Sequence, residues 1–61
     1  MVVVEHSEGR VEVTPENDRI ELTFIEGAHT LLSTVELDPK VARQLAFVII
    51  GMTDAKKAEG E

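Results

Sequence analysis

The sequence predicts an α+β domain, in which an antiparallel meander of three or four strands precedes one C-terminal helix packed on one face of the sheet. Alternating β-branched segments fill the first 37 residues, short turn sequences separate them, and Asp38-Pro39 then opens a single helical segment. Short connections favour neighbouring antiparallel strands, which gives a meander. The helix lying across one face of this sheet makes the domain two-layered. A chain of 61 residues is close to the lower limit for independent folding. We therefore treat residues 1–61 as one small domain.

The first two strands are predicted at residues 2–6 and 10–14. Residues 7–9, Ser-Glu-Gly, are typical turn residues, so the two segments are expected to form a hairpin. Residues 15–18 form the next predicted turn, with Pro15 ending the second strand.

The third and fourth strands are predicted at residues 19–26 and 29–37, where apolar and polar side chains alternate. The face expected to form the core carries Ile20, Leu22, Phe24, Leu31, Val35 and Leu37. The opposite face is rich in Glu and Thr, and its apolar exceptions are Val3, Ile25 and Leu32.

The helix is predicted to begin at Pro39 and to end near Lys57, followed by a frayed tail over residues 58–61. Asp38 can accept hydrogen bonds from the free amides of the first turn, and proline suits the first helical position. At about 100° per residue, one apolar stripe is predicted to pack on the sheet: Val41, Leu45, Val48, Ile49 and Met52.

The opposite side of the helix carries Phe47 and Ile50, which would face water in a monomer. Such exposure can be ordinary surface, or the helix can dock on a membrane surface or another partner. We favour self-association, in which two antiparallel helices place Phe47 against the partner's Ile50 and Arg43 against the partner's Asp54. The predicted interface consists of Arg43, Ala46, Phe47, Ile50, Gly51 and Asp54.

The composition argues against nucleic acid and membrane as partners. The net charge is −6, with twelve acidic against six scattered basic residues, whereas phosphate backbones are bound by clustered Lys and Arg. The N-terminus lacks the features of a signal peptide, and the longest apolar run is too short to span a bilayer. We expect a cytoplasmic protein, or one in the host cytoplasm if it is phage-encoded.

The sequence contains no arrangement of residues that indicates catalysis. It has no cysteine, which excludes disulfides and thiolate metal sites. His6 and His29 are its only histidines, and their spacing matches no metal motif. We therefore predict no metal, no cofactor, no catalytic residue and no enzymatic activity.

The step from the fourth strand into the helix, residues 35–46, has the form V-x-L-x-P-x-x-A-x-x-L-A. It resembles the corresponding step in small uncharacterised proteins of actinobacteria and their phages, which often pair a few β-strands with one C-terminal helix. Residues 47–50, Phe-Val-Ile-Ile, depart from the alanine-rich continuation of that pattern and make this helix more apolar. The resemblance implies a phage or actinobacterial accessory protein and supplies no active-site residue.

These observations favour a non-enzymatic homodimer that binds or modulates another protein, as a phage-encoded modulator of a host factor would. One alternative is a structural component that assembles into higher oligomers. Another is a regulator of the antitoxin type, although the basic DNA-contacting element that it needs is not visible in the sequence.

Overall fold

A computed structural model describes residues 1–60, with side chains as far as Lys57. Its elements are β1 (Val2–His6), β2 (Gly9–Glu16), β3 (Arg19–Glu26), β4 (Thr30–Leu37) and α1 (Pro39–Gly60). The strands form one open antiparallel sheet in the order β1-β2-β3-β4. The structure confirms the α+β class, the four-stranded meander and the C-terminal helix. The helix extends to Gly60, three residues beyond the predicted end near Lys57, and residue 61 of the predicted tail lies outside the described residues.

The second strand is longer than predicted because Pro15 does not end it. Pro15 pairs with Ile20, and β2 continues to Glu16. The pairing of β1 begins at Val2 opposite Val13, so β1 does not extend to Pro15, and the missing N–H of proline breaks no ladder there. The turn is left to residues 17 and 18, where Asn17 has a φ of 52°, a conformation that asparagine tolerates.

The turns at one end of the sheet are tied together by polar contacts. The amide of Gly27 donates to the carbonyl oxygen of Glu8 at 2.8 Å. The guanidinium of Arg10 donates to the carbonyl oxygen of Ala28 at 2.9 Å and forms an ion pair with Glu12 at 2.9 Å. These contacts hold the β1–β2 turn against the β3–β4 turn.

Cross-strand pairing sorts the side chains into an apolar face and a polar face. Directly paired residues lie on the same side of a sheet, so two four-residue rows cross the apolar face. These rows are Val2, Val13, Leu22 and Val35, and Val4, Val11, Phe24 and Ser33. Ile20 pairs with Leu37 on the same face. Glu5, Arg10, Glu12, Glu21 and Glu36 lie on the polar face.

A register shift in β4 corrects the predicted position of Leu31. Phe24 pairs with Ser33, but its neighbour Ile25 pairs with Leu31, so Leu32 is an extra residue in β4. An extra residue of this kind shifts the alternation of side chains by one position. Leu31 and Thr30, on the far side of the bulge from Ser33, are therefore on the opposite face from the one that strict alternation predicts. Leu31 therefore lies opposite Ile25 and not in the row of Phe24, contrary to the prediction.

The helix does not cover the apolar face of its own sheet, so this part of the prediction is wrong for the single chain. Within the described residues, α1 contacts β3 and β4 and reaches neither β1 nor β2. No side chain of residues 1–57 is fully buried. The physical reason is the connection, since only Asp38 separates the end of β4 from the start of α1 and leaves the helix no length in which to turn back.

One pair on the polar face predicts a stabilising substitution. Glu21 and Glu36 are directly opposite each other, and like charges in this position destabilise a sheet. We expect Glu36→Lys to raise the free energy of unfolding by about 0.2–1 kcal/mol. Urea denaturation at low salt measures this gain, which should shrink as salt screens the charges.

The control for this substitution is Glu16→Lys, which makes the same charge change opposite Arg19. It replaces an opposite-charge pair with a like-charge pair and should lower stability. Equal effects from the two substitutions would show that net charge, and not cross-strand pairing, governs stability.

Candidate interaction surface

The start of the helix is fixed by Asp38. Its carboxylate accepts a hydrogen bond from the amide of Lys40 at 3.3 Å, and its carbonyl oxygen accepts one from the amide of Ala42 at 2.9 Å. Pro39 follows in the first helical position, as predicted, with its φ restricted by the ring. The helix therefore begins immediately after the sheet, in a direction set by a short and rigid connection.

The apolar stripe that was expected on the sheet faces solvent. Its least exposed member, Leu45, is 42% exposed, and its most exposed member, Met52, is 67% exposed. Only Ala42 is half-buried among the helical side chains described. The stripe, by which we mean Val41, Leu45, Val48, Ile49 and Met52, has no cover within the described chain.

The predicted interface residues all lie on α1 and are exposed. Phe47 and Ile50 are 67% and 56% exposed. A Cβ atom added to Gly51 would meet no atom within 4 Å, so this side of the helix is open around the ring of Phe47. Ala46 and Asp54 are exposed on the same helix.

Arg43 is the member of the predicted interface whose surroundings differ from expectation. It lines a shallow depression at the start of the helix together with Ile20 of β3, Pro39 and Lys40. The sequence had placed Arg43 on the side of the helix away from the sheet. Ala42, which is half-buried, and Arg43 therefore lie on the side of the first helical turns that approaches β3, and every member of the apolar stripe stays at least 42% exposed.

The apolar face of the sheet is a second uncovered surface. Val2, Val4 and Val35, toward its two edges, are exposed, and the side chains at its centre are only half-buried. Contiguous apolar areas of this kind mark interaction sites on folded proteins. The structure thus presents an apolar sheet face and an apolar helix that do not cover each other.

The dimensions of the chain show how much surface is left uncovered. The accessible area is 5080 Å², whereas a compact monomer of 6.7 kDa exposes about 3,900 Å². The radius of gyration is 13.4 Å, against about 10.5 Å for a compact domain of this length. The difference in area, about 1,200 Å² by the same scaling, exceeds the roughly 800 Å² that each partner contributes to a standard interface.

Polar groups elsewhere in the described chain serve the turns. A depression of about 240 Å³ at the turn end of the sheet is lined in part by His6, Glu8 and Arg10. The Nδ1 atom of His6 accepts a hydrogen bond from the amide of Glu8 at 3.3 Å, which is a local turn contact. Among residues 1–57, no three side chains of the metal-binding types are grouped to hold an ion.

Comparison with family models, with curated proteins and with solved structures finds no match to this chain. Within the described residues, no helix combines the length and the apolarity needed to cross a membrane.

Sequence reasoning identified the Phe47 side of the helix as a candidate surface but missed the stripe and the sheet face. Both were assigned to a core because the pattern of each suits burial. The signal that could have found them is the single residue, Asp38, between β4 and α1.

Proposed function

We propose that this protein acts without catalysis, as a small interaction protein that self-associates through its C-terminal helix. The observation that carries the proposal is the exposure of seven large apolar side chains on one helix, each at least 42% exposed. Burying a side chain of this size is worth about 1.5–3 kcal/mol. The whole stability of a domain of 61 residues is about 3–9 kcal/mol. Association is therefore a large source of stability for this chain.

Modulation of another protein is the second part of the proposal. The assembled protein would keep its polar sheet face in water, and this face carries five glutamates against two arginines. The resemblance of residues 35–46 to phage and actinobacterial accessory proteins extends the proposal to a phage-encoded modulator of a host factor.

A structural assembly component is a second candidate, and it is supported by the presence of apolar side chains on both sides of the helix. If the two sides engage different neighbours without closing a two-fold pair, copies add without limit. Light scattering over a range of concentrations separates the two candidates, because a closed dimer keeps its mass and an open assembly grows.

We expect Phe47→Glu to weaken self-association at least tenfold. The substitution places a charge at an exposed apolar site, and an unpaired charge at an interface is costly to desolvate. Sedimentation equilibrium measures the dissociation constant, and circular dichroism shows whether the helix and the strands persist.

The matched control is Gln44→Glu, which adds the same charge to α1 at a position between the stripe and the Phe47 side. It should leave the dissociation constant within about threefold of the unsubstituted value, since exposed charges contribute about 0–1 kcal/mol. An unchanged oligomer in Phe47→Glu would contradict the role assigned to this side of the helix.

A further inference from the structure

We propose that the apolar face of each sheet is covered by the apolar stripe of a second copy, so that two chains exchange their helices. This inference rests on the self-association proposed above and identifies the surfaces that meet. The sheet face of one chain is occupied by the stripe of a second copy, from Val41 to Met52. The Phe47 side of the helix remains available for a helix–helix contact.

The first support is the orientation of the helix relative to its own sheet. The side of α1 nearest the sheet carries Ala42, which is half-buried, and Arg43, which lies beside Ile20. Leu45 and Val48 of the stripe are 42% and 51% exposed. The helix thus contacts its own sheet by one side and presents its most apolar side elsewhere.

The second support is the connection between sheet and helix. Leu37 ends β4, Pro39 begins α1, and Asp38 is the only residue between them. Pro39 fixes one backbone angle, and the carboxylate of Asp38 is engaged by the first helical turn. Short connections that cannot reverse direction favour the exchange of an element between two copies.

The third support is the match in size and chemistry between the two surfaces. The stripe extends over about 16 Å, at 1.5 Å per residue, and four strands span about 14 Å. Both four-residue rows of the sheet face are free of charge, as is the stripe. Because each chain has a net charge of −6, two copies repel each other overall, and contact through uncharged surfaces avoids adding like-charge contacts to that repulsion.

The fourth support is the area. The chain exposes about 1,200 Å² more than a compact monomer of its mass, and a standard interface takes about 800 Å² from each partner. In a two-fold pair each chain gives one helix and receives one, so the contact forms twice. The helix and the sheet face of one chain together would contribute about 800 Å² to one standard interface. The extra exposed area of about 1,200 Å² is larger than this contribution.

The absence of cysteine from the chain makes a direct test possible. One full-length chain carries Val13→Cys, on the apolar face, and a second chain with an affinity tag carries Val48→Cys, in the stripe. The two chains are unfolded, mixed, refolded and treated with a short bismaleimide. The matched control replaces Val13→Cys with Thr14→Cys, the next residue of β2 on the polar face.

We expect a cross-linked pair of the Val13→Cys and Val48→Cys chains, at a yield at least tenfold above the Thr14→Cys control. The double variant Val13→Cys/Val48→Cys should also link between chains and not within one chain. A link within one chain, or no link above the control, overturns the exchange. If the same samples still self-associate, the proposed function stands without it; if they are monomeric at every concentration, both proposals fail.

A second variant keeps the test valid if the cysteine variants fold poorly. A flexible Gly/Ser segment of about six residues, inserted between Leu37 and Asp38, lets the helix reverse onto its own sheet. We expect this variant to self-associate at least tenfold more weakly than the unmodified chain, because only the Phe47 side of the helix then joins two copies. An insertion variant that stays as tightly dimeric as the unmodified chain overturns the exchange.

Discussion

Phe24→Ala is expected to lower the free energy of unfolding by about 3–5 kcal/mol, as for other large truncations in a protein core. Phe24 lies between Val11 and Ser33 in a central row of the apolar face, where it is half-buried in the single chain. Covering this face by a second copy would bury the ring fully. Urea denaturation at a fixed chain concentration measures the loss, since the stability of an oligomer depends on concentration.

Thr23→Ala provides the control, because Thr23 is the adjacent residue of β3 on the polar face, between Glu12 and Thr34. Its cost should stay below about 1 kcal/mol, the span of strand propensities. If Phe24→Ala also costs less than about 1 kcal/mol, the apolar face remains open to water in solution.

Gly9→Ala is expected to cost about 3 kcal/mol or more, which is comparable with the stability of the whole domain. Gly9 has a φ of 156°, and an added Cβ atom would overlap the carbonyl oxygen of Ile25 and lie 2.9 Å from the Cα of Glu26. Both obstacles belong to the backbone of β3, to which Gly9 is paired, so they cannot move without breaking the sheet. Circular dichroism and thermal denaturation should show a largely unfolded chain.

The other described glycines separate backbone strain from steric overlap. Gly27 has a φ of 63° but open space around it, so Gly27→Ala should cost only about 1–2 kcal/mol. Gly51 is helical and also open, so Gly51→Ala should stabilise an isolated helix by about 1 kcal/mol. A Gly9→Ala variant as stable as the unsubstituted protein would contradict the close approach of β2 and β3.

The parts of the fold that were predicted correctly depend on local chemistry. Turn residues at positions 7–9 set the first hairpin, alternation defined β3 with its observed bounds, and Asp38-Pro39 located the start of the helix. Each of these signals lies within a few residues of the feature that it specifies. Local signals of this kind survive in the folded chain because no tertiary contact competes with them.

The parts that were predicted incorrectly depend on contacts between elements. Whether Pro15 can stay in β2 is decided by the length of β1, and the face of Leu31 is decided by a bulge at Leu32. The side of the helix that approaches the sheet is decided by the Asp38 connection. An apolar pattern predicts that a surface is buried. It does not indicate whether the same chain or another chain buries that surface.

The open sheet has one further consequence, which concerns its two outer strands. In β4 the bulge at Leu32 interrupts the regular ladder, and such interruptions discourage the pairing of one sheet with another. The outer strand β1 contains no bulge, and its three exposed valines, Val2 to Val4, are accompanied by a single acidic residue, Glu5, and by no lysine or proline. Unpaired strands of this composition act as templates for edge-to-edge growth. The first strand is therefore where we expect aggregation to begin, and a lysine at Val3 on the polar face is the substitution that would suppress it with least effect on the apolar rows.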